Sequence, residues 1–175
     1  MRRMWRRFWP ILLVLVAASA VGIVHLAAWS GPRMSPPYSG SYDQIEDGLY
    51  LGGYVREPPP GVEAVLNLCE LEDQYRARIH EWQPIHDAAP APCLDWLRRQ
   101  VEFVDQQRRA GRVVFVHCQA GVSRSCMVVA AYLMSRHGWP RDKALEFVRT
   151  RRPGVRPNPA FMVLLQEWEK AIKKS

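Results

Sequence analysis

Along the second half of the chain, apolar positions fall into two periods. "VVFV" (Val113 to Val116) is continuously apolar and β-branched or aromatic, the pattern of a central parallel strand covered on both faces. Before it, Leu97, Val101 and Val104 recur at helical spacing, which predicts a helix opening at Pro90 and Pro92, running to about Ala110 and ending at Gly111. After it, helices are predicted over 124–137, 141–151 and 159–173. The last carries Phe161, Leu164, Leu165, Trp168 and Ile172 on one face.

Upstream, "QIEDGLYLGG" reads as two short strands around an Asp47-Gly48 turn. "VEAVLNLC" (Val62 to Cys69) is a further strand, and "REPPPG" between them is a loop. "ELEDQYRARIHEW" has mixed charge and reads as helical, and "WQPIHD" as a short extended piece that Pro84 confines to an edge or a strand end. Strands alternating with helices imply an α/β fold with a largely parallel sheet, its folded part beginning near Tyr42.

The first forty residues obey a different pattern. An apolar run from Phe8 to Trp29 follows Arg2, Arg3, Arg6 and Arg7, and approaches the ~20 residues that cross a bilayer as a helix. Trp5, Trp9 and Trp29 stand where interfacial aromatics stand. The expectation is a membrane anchor through residues 8–29. A cleaved signal segment is the alternative, because "ASA" at 18–20 resembles a cleavage site although the apolar run continues past it. The arginines favour a cytoplasmic N-terminus and an exocytoplasmic domain. Residues 31–41, rich in Pro, Gly and Ser, read as a linker.

Charge sharpens this division. The 175-residue chain carries a net +7, of which residues 1–33 hold +5 and the remaining 142 residues only +2. The domain therefore lacks the basic surface of a nucleic-acid binder, and no nucleic-acid partner is expected. The four cysteines, Cys69, Cys93, Cys118 and Cys126, form no CxxC pair and no zinc spacing.

The candidate chemistry lies where the central strand hands over to a helix, in "HCQAGVSRS". In an open α/β sheet, ligands bind beyond the carboxyl ends of the strands. The loop from Cys118 to Arg124 runs into a helix N-terminus, so its N–H groups can converge on an anion. Gly121 permits the backbone turn this needs, and Arg124 offers a fork of donors that matches two phosphate oxygens. The same surroundings lower a thiol's affinity for its proton below the usual value of about 8.5, so Cys118 is expected to be a thiolate poised for in-line attack on phosphorus. Gln119, Ala120, Gly121, Val122, Ser123 and Arg124 would bind the phosphate. Ser125 would donate a hydrogen bond to the departing sulfur, and His117 would order the loop. A leaving alkoxide needs a general acid. Asp87 in "PIHDAAPAP" is the choice and Asp95 the alternative, while His86 reads as a packed or surface histidine.

"VHCQAGVSRS", followed by "AYLM" (Ala131 to Met134), resembles the signature of the dual-specificity branch of the cysteine-dependent protein tyrosine phosphatases. "IEDGLYLGG" (Ile45 to Gly53) is similar to that family's first hairpin, and "RPNPAFMVLLQEWE" (Arg156 to Glu169) to its last helix. The resemblance spans about 42–173. It implies a phosphotyrosine phosphatase II-like fold with a mostly parallel sheet of about five strands flanked by helices, here preceded by an N-terminal hydrophobic helix. It implies a phosphomonoester hydrolase without metal or other cofactor, with Cys118 as nucleophile, Arg124 as phosphate clamp and Asp87 as acid and then base. Asn158 matches the asparagine that buttresses the phosphate loop, and a helix cap before Pro159 is its other reading.

The expected substrate is protein phosphotyrosine and phosphoserine or phosphothreonine, because Gln119 and Val122 put no charge inside the loop. A membrane-associated lipid phosphatase of the phosphatidylglycerophosphate type, acting on an anionic phospholipid, is the alternative. A phosphate-binding module without turnover is another. Cys69 raises a redox question, since it ends a strand next to the central one. It is either a packed core thiol or a partner that traps oxidised Cys118 as a disulfide. The basic runs "RTRRPG" and "EKAIKKS" read as solvated helix ends.

Overall fold

The structure, a computed structural model, describes residues 41–174. The anchor expected over 1–30 and all but the last residue of the linker expected over 31–41 lie outside them. Among the described residues no helix is long and apolar enough to cross a membrane.

Among the described residues, five strands and four helices follow one another: β1 (Tyr42–Glu46), β2 (Leu49–Gly52), β3 (Val62–Asn67), β4 (Ile79–Trp82), α1 (Leu94–Arg109), β5 (Val113–His117), α2 (Arg124–His137), α3 (Arg141–Arg151) and α4 (Pro159–Ile172). They build one five-stranded mixed sheet in the order β1-β2-β5-β3-β4. Only the β1–β2 hairpin is antiparallel; β2, β5, β3 and β4 run parallel. Gly48 closes the hairpin with φ +69°, a left-handed conformation that L side chains rarely adopt.

Strand alternation divides the core. Leu49, Leu51, Ala64, Leu66, Val114 and Val116 belong to the large cluster shared with the helices. Val65 and Phe115 belong to a smaller cluster with Val55, against which Tyr50, Val62, Tyr75 and Ala77 pack. β5 is covered on both faces, as its unbroken apolar run predicts. α2 packs on β2 and β5 and meets each of the other three helices, so Arg124 through Met134 are all buried. This explains why its apolar residues show no single stripe.

Two expectations are corrected. α1 begins at Leu94 rather than at Pro90 or Pro92. Pro92 bars Ala91 from helical geometry, and the extended Cys93 serves as N-cap, its carbonyl taking the amides of Trp96 and Leu97. The segment Glu70 to Trp82 contains no helix; it is a run of bends and irregular backbone that ends in β4. Its polar groups are claimed by tertiary partners. Asn67 accepts from the Cys69 amide at 2.7 Å and donates to the Leu71 carbonyl at 2.9 Å. The Tyr54 hydroxyl takes the Glu72 carbonyl at 2.7 Å, and Trp82 Nε1 takes that of Cys69 at 2.9 Å. Helix propensity is a few tenths of a kcal/mol per residue, roughly, and such contacts override it.

Candidate active site

Register brings the site together. His117, the last residue of β5, pairs with Gly52 at the end of β2 and with Asn67 at the end of β3. The segments after these strands therefore leave from one edge of the sheet, and Cys118 lies at its centre. The Cys118 amide donates to the Gly52 carbonyl at 3.2 Å, and the Leu68 amide to the His117 carbonyl at 2.9 Å.

The loop from Cys118 to Arg124 fits tightly against β2. Gly121 has φ +67°, and a Cβ there would lie 2.4 Å from the Gly52 carbonyl carbon and 2.6 Å from the Gly53 nitrogen. Both the backbone conformation and the close approach require glycine. The underside of the loop is held by Arg152. Its Nε donates to the Gly121 carbonyl at 2.7 Å and its Nη2 to that of Ala120 at 3.2 Å. Its Nη1 donates to Asp43 at 2.6 Å. These bonds tie two carbonyls of the loop to one side chain. Arg152 is thus buried and structural, against the expectation that its run is only a solvated helix end.

Cys118 is buried, with its sulfur 3.4 Å from Ser125 Oγ. The serine hydroxyl also reaches the Gly52 carbonyl at 3.4 Å, so its one proton has two acceptors. Arg124 is buried too, and its hydrogen bonds run from Nη1: to Glu70 at 2.5 Å, to the Ile85 carbonyl at 3.0 Å and to the Leu68 carbonyl at 3.4 Å. Its buried Nε has no hydrogen-bond partner and faces Asp87 Oδ2 at 4.0 Å. Burial disfavours the Arg124 charge, but the Glu70 hydrogen bond and the nearby Cys118 and Glu70 outweigh it and raise its pKa further. For Glu70, burial pushes the pKa up, and the bond and charge of Arg124 more than reverse this, holding it below the ordinary 4.5.

Asp87 stands at the mouth of the loop. Its Oδ1 accepts from Ser123 Oγ at 2.6 Å and from Asn158 Nδ2 at 2.7 Å. Asp95 lies in the first turn of α1, exposed, with Arg98 as its 4.0 Å partner. Asn158 unites its two readings: Oδ1 caps α4 by accepting from the Phe161 amide at 3.0 Å, while its other contacts reach Asp87 and, through the backbone amide, Ser123 Oγ at 3.0 Å. His86 is exposed and meets Glu70 at 3.4 Å. A cavity of about 570 Å³ beside the loop is lined by Asp87, Val122, Ser123, Arg156 and Asn158, among others.

His117 is fully buried, and its Nε2 lies 3.0 Å from Asp73 Oδ2. Cys69 is a free, buried thiol whose sulfur is 3.8 Å from His117 Nδ1; burial and the neighbouring Cys118 raise its pKa. Burial also holds the Cys126 thiol up, to about 12. Gln119, Ala120, Val122 and Ser123 complete the loop, with the Gln119 carbonyl accepting from the Tyr54 amide at 3.1 Å and that of Val122 from the Arg156 amide at 2.8 Å.

Sequence reasoning therefore locates Cys118, Arg124, Ser125, Asp87, His117 and Asn158 in one place. It misses Glu70, Asp73 and Arg152. Glu70 and Asp73 lie in the segment misread as helical, and Arg152 is hidden in a basic run.

The family model described as "Dual specificity phosphatase, catalytic domain" matches residues 50–171. Human dual specificity protein phosphatase 1 is 40% identical over 114 residues, which is 64% of this chain and 31% of that protein. Human dual specificity protein phosphatase 8 is 40% identical over 90 residues, 51% of this chain and 14% of that protein. The chain thus spans a third or less of these relatives' length. Among solved structures, human DUSP28 superposes with a TM-score of 0.69 at 28% identity, covering 75% of this chain and 98% of that one. PTPMT1 in complex with PI(5)P gives 0.68 at 25% identity, covering 76% and 97%. The chain belongs to the dual specificity phosphatase catalytic-domain family.

Proposed function

We propose that this chain hydrolyses phosphomonoesters through a phosphocysteine intermediate, and that its substrates are protein phosphotyrosine and phosphoserine or phosphothreonine. The observation that carries the reading is the Arg124 guanidinium. It is anchored through Nη1, while its buried Nε is an unmet donor directed at the loop mouth. A buried N–H without an acceptor is costly, and a phosphate oxygen would satisfy it.

In the first step, the loop amides and Arg124 hold the phosphate oxygens and neutralise charge that builds on them. The Cys118 sulfur forms a bond to phosphorus as the ester P–O bond breaks, and Asp87 gives its proton to the leaving oxygen. Its tether to Ser123 keeps the acid beside the loop. In the second step, Asp87 takes a proton from water, the water oxygen attacks phosphorus, and the S–P electron pair returns to sulfur. Ser125, 3.4 Å away, donates to that sulfur as it leaves. Arg124 and the amides supply the charge stabilisation that a metal ion provides elsewhere.

The uncharged Gln119 and Val122 support protein substrates. One observation favours a lipid phosphate as a second reading: a similar chain, PTPMT1, has been solved with PI(5)P. The arginine-flanked apolar run of residues 8–29 supports the same reading, since it would place the domain at a bilayer. One assay separates them. Phosphotyrosine peptide, phosphothreonine peptide and phosphatidylglycerophosphate in vesicles are offered in parallel, with and without chelator. Release of phosphate from peptides, unaffected by chelator, is the expected result. Turnover of the lipid alone would favour the second reading. Binding without turnover of any of them would leave a phosphate-binding module.

A further inference from the structure

The proposed mechanism leaves a second buried cluster unused. His117 Nε2 and His80 Nε2 each lie 3.0 Å from one oxygen, Asp73 Oδ2. The side chains of His117 and Asp73 are wholly buried, and that of His80 is 20% exposed. Asp73 Oδ1 has no hydrogen-bond partner. The three residues come from β5, from the segment after β3 and from β4.

The donor and acceptor roles in this cluster follow from its geometry. An ionised carboxylate only accepts, so two imidazole nitrogens converging on one of its oxygens must both carry hydrogen. Burial raises the Tyr75 phenol, and the adjacent Asp73 charge raises it further, so its hydroxyl, 3.5 Å from His117 Nε2, keeps its own proton. A neutral imidazole with hydrogen on Nε2 keeps a lone pair on Nδ1. The Cys69 thiol, kept protonated by burial, points its sulfur at that nitrogen from 3.8 Å. The imidazole also stacks on Phe115 at 4.9 Å and 17°. Its carbonyl is held by Leu68, and the next amide, that of Cys118, is held by Gly52.

We propose that Asp73 is a positioning residue: its carboxylate fixes His117 as the Nε2–H tautomer and so sets the backbone that presents the Cys118 sulfur, with His80 steadying Asp73 from the surface side. This deepens the phosphocysteine reading and rests on it for its effect on rate. Asp73 touches no reacting atom. Its removal turns a buried imidazole N–H loose next to the nucleophile, and the loop loses its one fixed orientation. Metal-bound histidines that lose the outer carboxylate orienting them lose about 10- to 100-fold in metal affinity or activity, and by analogy a fall in kcat of that order is expected here.

The test uses the full chain in detergent micelles, labelled with 15N-histidine. Long-range proton–nitrogen spectra report each tautomer directly. In the wild type, His117 should appear as a single Nε2–H form. Asp73→Asn should mix or invert the tautomers and lower kcat by about 10- to 100-fold while KM changes much less. His80→Gln, which keeps an N–H donor, should restore most of what His80→Ala loses. An Nδ1–H form of His117 in the wild type would overturn the proposal, and that result needs no variant to fold. So would Asp73→Asn with wild-type tautomer and kcat. Cys118→Ser separates the two readings, since it should end turnover and leave the His117 spectrum intact.

Discussion

The hydroxyl of Ser123 and the carboxylate of Asp87 lie 2.6 Å apart, joining the loop after β5 to the segment after β4. The same Asp87 oxygen is held by Asn158 from the start of α4. A group expected to deliver a proton at the loop mouth is thus placed by two contacts that themselves touch the loop.

That placement predicts the behaviour of Asp87→Asn. The amide keeps both contacts but has no proton to give. On phosphothreonine peptide, kcat should fall by about 10²- to 10³-fold. On an aryl phosphate with an acidic leaving group the loss should be much smaller. Equal losses on the two substrates would assign the proton transfer elsewhere.

Gly121 allows no side chain. Gly121→Ala must either abandon φ +67° or drive a methyl group to within 2.4 Å of the Gly52 backbone. The strain alone is of order 1–3 kcal/mol. The variant should melt several degrees lower and lose phosphate affinity, measured as the inhibition constant of vanadate or inorganic phosphate.

Arg152 braces the loop without facing the substrate. Arg152→Ala frees the carbonyls of Ala120 and Gly121, and a stability loss of about 2–3 kcal/mol is expected for charge-assisted bonds of this kind. Arg152→Lys retains the charge but not the fork and should fall between. Chemical denaturation of the three proteins measures the order.

Glu70 gives the fold an acid-side dependence. Its pKa is held below 4.5 in the folded protein, so its bond with Arg124 stabilises fully above that value. The contribution fades as pH falls from about 4.5 through the lowered folded pKa. Denaturant midpoints of wild type and Glu70→Gln should therefore differ at pH 6 and converge as pH drops through this window. A difference that grows on acidification would contradict the assignment.

How much of this was legible in the sequence depended on where each residue's partners lie. The β5–loop–α2 passage was legible because its signals are local: an unbroken apolar strand, a glycine, then an arginine at a helix start. The hairpin at Gly48 and the cap at Asn158 are local in the same sense. Glu70 to Trp82 was not legible. Its charged residues fit a helix in isolation, and partners such as Arg124, Tyr54 and His117, distant in sequence, draw it into another shape. Arg152 was hidden for a similar reason. Nothing within "RTRRPG" distinguishes the arginine that turns inward from Arg151, which stays exposed.

Trapping the covalent intermediate tests the central claim most directly. The protein is mixed with 32P-labelled phosphotyrosine peptide, quenched in denaturant within milliseconds and digested. The account predicts label on sulfur in the peptide that contains Cys118, forming and decaying at rates compatible with turnover, and no label with Cys118→Ser. Turnover with no labelled enzyme, or label on any other residue, would contradict it.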